Sequence, residues 1–212
     1  MTTNALVISG TDTDIGKTVV AAALVGMLEG IYWKPVQAGL EDETDRDTVI
    51  RLAGVGPLRA RKEIYRLNTP ASPHRAAELD EIEIDPHRLT PPRTQAPLII
   101  ETAGGLLVPI TRQLLQIDLM SQWRIPTVLV TSTRLGTINH TLLSVEALRQ
   151  RDIHIAGIIF TGPENADTQH TIAKFSGSTI LGCLPHLSPL DAQTLATAAR
   201  QHINVTPLRQ CL

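Results

Sequence analysis

Apolar residues in this chain fall in short unbroken runs set between longer stretches of mixed character. Ala5-Leu6-Val7-Ile8, Ile31-Tyr32-Trp33, Pro97-Leu98-Ile99-Ile100 and Pro126-Thr127-Val128-Leu129-Val130 are four of them, and 153–160 and 179–181 are two more. Continuous apolar runs of this length predict strands buried on both faces. Glu63-Ile64-Tyr65 is a weaker strand fragment. Segments at about 17–29, 45–54, 114–123, 139–150, 165–174 and 189–201 read as helices. Seven strand candidates separated by helices predict one α/β domain over 1–212, with a mostly parallel seven-stranded sheet and helices on both faces. Asn68–Ala77 reads as a loop held stiff by two prolines. Polar, proline-rich residues 80–96 hold at most a short helix near 85–89.

Composition narrows the function classes. Hydrophobic content is 42%, charged content 19% and net charge −2, the values of an ordinary globular domain, with no basic excess for nucleic acid or an anionic membrane. No apolar run approaches a membrane span, and the N-terminus lacks a basic segment followed by an apolar core. Cys183 and Cys211 have no metal-ligand spacing, so they read as reduced thiols of a cytoplasmic protein.

The first strand runs into Gly10-Thr11-Asp12-Thr13-Asp14-Ile15-Gly16-Lys17-Thr18, and Val19 continues into a helix. Strand, glycine-containing turn ending Gly-Lys-Thr, then helix is the context of a phosphate-binding loop. Backbone N–H groups across Asp14, Ile15, Gly16 and the helix start would face the phosphates of a nucleoside triphosphate. Lys17 would reach the β- and γ-phosphates, and the Thr18 hydroxyl would ligate Mg²⁺. The strict pattern wants glycine at 11, where Thr11 stands; the glycine is one residue earlier.

Other groups fall at the same sheet edge, where open α/β sheets bind ligands. Lys34 follows the second strand. The acidic segment 41–47 leads into a helix, where its carboxylates complement the dipole and one of them has a possible role at Mg²⁺. Glu101, at the tip of a central strand and followed by Thr102, Ala103 and Gly104, suits a second Mg²⁺ or γ-phosphate contact. Thr137 or Asn139 can cap the helix about 139–150, making its first turn a second anion site.

Five ordered blocks carry a resemblance across nearly the whole chain: 10–18, Lys-Pro-Val-Gln at 34–37, Ser-Pro-His at 72–74, Glu-x-Ala-Gly-Gly at 101–105 and Gly-x-Ile-Asn-His-Thr at 136–141. Together they resemble the dethiobiotin synthetases. The resemblance implies joining CO₂ to 7,8-diaminononanoate with Mg-ATP, through a carbamate and a carbamic-phosphoric anhydride, to give dethiobiotin, ADP and phosphate. It implies Lys17 and Lys34 as the catalytic charges and Thr18, Asp47 and Glu101 as holders of Mg²⁺, with Asp47 chosen over Asp45. Thr11, Ala38 and Gly136, Thr137, Ile138 and Asn139 fall at substrate positions, the last four offered across a homodimer interface. Thr161 and Pro185-His186-Leu187 fall around the base.

Three residues depart from the family pattern. Ala38 stands where a hydroxyl residue is common, and Thr102 where glycine is usual, which would crowd the turn. Thr161-Gly162 replaces an adenine-reading asparagine, and a hydroxyl cannot reproduce the paired donor and acceptor of an amide, so relaxed base selectivity is expected. A competing reading is a partition or septum-positioning ATPase. Those proteins carry an extra lysine early in the loop, where this chain has Gly10 and Thr11.

Overall fold

The computed structural model describes residues 4–212. Its centre is a six-stranded parallel sheet. In spatial order it runs β2 (Ile31–Trp33), β5 (Leu98–Gly105), β1 (Ala5–Gly10), β6 (Thr127–Ser132), β7 (Ile155–Thr161) and β8 (Ile180–Leu184). Side chains alternate across a strand, and here both faces are apolar. Leu6 and Ile8 of β1 enter one core with Ile99, while Ala5 and Val7 enter the other with Ile100. The first core is covered by α1 (Lys17–Met27), α2 (Asp45–Ala53), α7 (Ala192–His202) and the short α8 (Thr206–Arg209). The second is covered by α4 (Gln116–Trp123), α5 (Thr137–Arg149) and α6 (Ala166–Ser176). Burying each Leu, Ile or Val contributes about 1.5–3 kcal/mol before entropy, so the core sets where β1 ends and the loop after it begins.

The expected architecture is present, but the seventh strand is not in the main sheet. The fragment around Tyr65 forms β4 (Tyr65–Leu67), which pairs in parallel with β3 (Val36–Ala38) as a separate ribbon. Pro35 ends β2, and its carbonyl accepts from Ile64 N at 2.8 Å and Tyr65 N at 3.1 Å, which holds the two segments together away from the central strands. The ribbon has its own core of Val36, Tyr65 and Leu67 with Ala76 and Ala77. Those alanines belong to α3 (Pro73–Leu79), within a stretch expected to be loop. Pro73 sits in its first turn, where the missing N–H costs nothing and the fixed φ favours helix.

Candidate active site

The parallel register brings separate stretches to one edge. Ile8 lies opposite Glu101 on β5, and Trp33 of β2 lies opposite Ile100, so Lys34 leaves its strand beside Glu101. The loop after β1 is anchored by Thr11 N, which donates to Val130 O at 3.0 Å. It enters α1 through Gly16 at φ 88°, a left-handed conformation that glycine adopts without strain. The displaced Gly10 is closely packed: a Cβ there would meet Ile15 Cδ1 at 2.6 Å.

A cleft of about 800 Å³ opens over this loop, lined among others by Lys17, Thr18, Lys34, Ala38, Asp45, Glu101, Ala103 and Gly104. Thr18 Oγ1 lies 2.7 Å from Asp45 Oδ1 and 2.8 Å from Glu101 Oε1. Its single proton can serve only one of them at a time. Lys34 is hydrogen-bonded to Asp45 and stands 3.6 Å from Glu101 Oε1. Lys17 Nζ donates to Asp12 O at 2.6 Å, folding back over the loop.

Burial and charge oppose one another here. Burial lowers the Lys34 pKa, but Glu101 and Asp45 outweigh it and the net shift is upward. Burial lowers Lys17, and the attraction of Glu101 only partly offsets it. Burial raises Asp45, but the Lys34 charge and hydrogen bonds hold it below the usual carboxylate range. Glu101, 1% exposed, is raised by burial despite Lys34.

Two carboxylates and one hydroxyl are an all-oxygen donor set, which suits a hard cation that completes its shell with phosphate and water. The structure brings Asp45, rather than the expected Asp47, beside Thr18 and Lys34. Asp45 is the first residue of α2, whereas Asp47 is exposed and occupied with the helix cap. Its backbone N donates to Thr44 Oγ1 at 3.3 Å, and the Thr44 hydroxyl donates back to Asp47 Oδ2 at 2.7 Å. The spacing Thr44-x-x-Asp47 is a capping-box pattern, a signal in the sequence that would have set Asp47 aside. Thr102 corrects a second expectation. Its side chain is fully buried and donates to Ser9 Oγ at 3.0 Å, so it crowds nothing in the cleft.

A neighbouring cleft of about 250 Å³ shares Asp14, Gly16 and Val19 with the first and is lined further by Ile15, Thr161, Pro185, His186 and Leu187. The Thr161 hydroxyl donates to Ile15 O at 2.7 Å, tying the end of β7 to the phosphate loop. Thr11, Gly136, Thr137, Ile138 and Asn139 line neither cleft. The Thr137 hydroxyl donates to Ser132 O at 2.6 Å, Ile138 packs on the core and Asn139 is exposed. A larger cavity of about 910 Å³ is lined by parts of α3 and α4 and by the segments flanking them, and its Glu78 and Arg112 pair with each other. The smaller clefts therefore hold the converging chemistry. Sequence reasoning passed over Tyr32 entirely; its hydroxyl donates to Glu101 Oε2 at 2.9 Å from inside the core.

Both the fold and the sequence have known relatives. Among solved structures of the same fold are a ParA family ATPase from Chlorobium tepidum and the cell division ATPase MinD of Pyrococcus furiosus. The first is 12% identical with TM-score 0.57 over 98% of this chain and 96% of that one; the second is 14% identical with TM-score 0.55 over 99% and 100%. A family model described as an AAA domain matches residues 4–194. Curated relatives are far nearer in sequence. The ATP-dependent dethiobiotin synthetase BioD of Rhodopseudomonas palustris strain BisA53 is 54% identical over 94% of both chains. That of Agrobacterium fabrum is 55% identical over 94% of both, and that of Rhizorhabdus wittichii 56% identical over 92% of this chain and 94% of the relative. On that identity and coverage, this chain belongs to the ATP-dependent dethiobiotin synthetase family.

Proposed function

We propose that this chain is a ligase of biotin biosynthesis that closes 7,8-diaminononanoate and CO₂ into dethiobiotin at the expense of ATP. The observation that carries this reading is the convergence of Lys34, Thr18, Asp45 and Glu101 at the mouth of the phosphate loop, in a chain of this family. A substrate amine adds to CO₂ and loses a proton to form a carbamate. A carbamate oxygen takes the γ-phosphoryl group, and ADP leaves. The second amine then attacks the anhydride carbon, phosphate departs, and the cyclic urea closes. The middle step joins two anions, so positioned positive charge is the main requirement.

Lys17 and Lys34, which both line the cleft, provide that charge. Lys34 is suited to the role because Glu101 and Asp45 keep it protonated in spite of burial. Thr18, Asp45 and Glu101 would hold Mg²⁺, which when bound with the nucleotide neutralises phosphate charge. The 800 Å³ cleft takes the phosphates and diamine, and the 250 Å³ cleft takes the base. Residues Gly136, Thr137, Ile138 and Asn139 lie outside both clefts of their own subunit, which supports their serving a partner subunit in a homodimer. Leu135 and Leu143, 107% and 57% exposed beside them, give that face apolar area to bury.

The deciding experiment follows phosphate release with bicarbonate, Mg²⁺ and 7,8-diaminononanoate omitted in turn. Release that needs every component, with dethiobiotin detected by mass spectrometry, is the expected result. Release indifferent to the diamine would leave a nucleotide switch of the partition-ATPase kind.

A further inference from the structure

We infer that Tyr32 is a positioning residue for the metal-facing carboxylate of Glu101, a role that rests on the reading of Glu101 given above. Tyr32 on β2 pairs with Ile99 on β5, and both enter the core beneath α1. Glu101 is two residues beyond Ile99, so it projects from the same face, one repeat nearer the cleft. A tyrosine leaning along its strand spans that repeat, and its hydroxyl ends 2.9 Å from Glu101 Oε2. A phenylalanine would fill the same space and stop short of the carboxylate.

The two oxygens of Glu101 are thereby given different surroundings. Oε1 faces Thr18 and Lys34 at the cleft, whereas Oε2 faces the core and accepts from the Tyr32 hydroxyl. Tyr32 is 0% exposed and Glu101 1% exposed, so water does not replace this donor freely. Fixing Oε2 fixes the rotation of the carboxyl group and aims Oε1 at the position where Thr18 and Asp45 converge. Partners that orient metal ligands in this way typically change metal affinity by about 10–100-fold when removed.

The test measures Mn²⁺ binding by electron paramagnetic resonance with a non-hydrolysable ATP analogue present, so that turnover plays no part. Tyr32→Phe is expected to weaken Mn²⁺ about tenfold, with circular dichroism unchanged. On a Glu101→Gln background the same change should have no further effect, since the oriented carboxylate is already gone. Mn²⁺ affinity within about twofold of wild type for Tyr32→Phe would overturn the inference, provided Glu101→Gln weakens binding. If Glu101→Gln binds as wild type, the reading of Glu101 itself fails. A second measurement needs no variant. The chain has two tyrosines, Tyr32 and Tyr65, and Tyr65 lies in β4 where its hydroxyl accepts from Asp85 N. With 3-fluorotyrosine incorporated, Mg²⁺ and the analogue should shift the Tyr32 ¹⁹F resonance more than that of Tyr65; an unmoved Tyr32 resonance overturns the proposal.

Discussion

At the scale of single residues, the site turns on which of two acidic side chains in one helix turn faces the cleft. Asp45 faces Thr18 and Lys34, while Asp47 is paired through its backbone N–H and its carboxylate with the Thr44 cap. Asp45→Ala is therefore expected to weaken Mn²⁺ binding by at least about tenfold; Asp47→Ala should bind as wild type and lose only cap stability. Equal losses in the two variants would return Asp47 to the metal. Lys34→Ala removes the charge nearest both carboxylates and should lower kcat by about 10²–10³, or about 3–4 kcal/mol. At Thr161 the hydroxyl is already spent on Ile15 O. The 250 Å³ cleft proposed for the base has no side-chain amide among the described residues that line it. Values of kcat/KM for GTP and CTP within about tenfold of that for ATP are expected; a site built to read an amide-matched edge would discriminate by about 10⁴ or more.

At the scale of elements, helix starts carry the functional side chains, so caps have consequences for stability and for geometry. Thr44 is 4% exposed and caps α2 immediately before Asp45. Thr44→Ala is expected to cost about 1 kcal/mol in urea denaturation, with a weaker Mn²⁺ site because the first turn of α2 frays. Asp191 gives a pH-dependent counterpart at α7. It accepts from Thr194 N at 2.9 Å, and the Thr194 hydroxyl accepts from Asp191 N at 3.1 Å. The backbone hydrogen bond from Thr194 holds the Asp191 carboxyl below the usual carboxylate range. A depressed folded pKa stabilises the fold above the unfolded value, and that contribution is lost as pH falls through the folded one. Asp191→Asn keeps an acceptor and removes the titration. The wild-type advantage over it should be present near neutrality and vanish in strong acid; a difference independent of pH would contradict the assignment.

At the scale of the molecule, the clefts and residues 136–139 belong to different regions of one chain, so a shared site across two copies has a distinct signature. Lys34→Ala and Asn139→Ala should each be nearly inactive alone. A 1:1 mixture of freely exchanging subunits should regain about a quarter of wild-type turnover, because half the dimers are mixed and each of those has one intact site. No recovery, with exchange shown by sedimentation of differently tagged subunits, would place Asn139 in the cleft of its own subunit or outside the site.

The phosphate loop, the buried strands and the helices between them were legible from the sequence because each follows from local rules. Unbroken apolar runs specify strands covered on both faces, and Gly-Lys-Thr at a strand–helix junction specifies an anion cradle. Asp45 was half legible, since the capping-box spacing was present in the residues themselves. Three features needed the assembled tertiary structure. The fragment at Tyr65 left the main sheet because Pro35 gave its backbone another partner. Thr102 turned into the core because strand alternation, set by what covers each face, decided its direction. Tyr32 met Glu101 only because β2 and β5, some seventy residues apart, pair in one register. Local propensity acts within a few residues of the chain, whereas register and facing are settled by burial summed over the whole sheet.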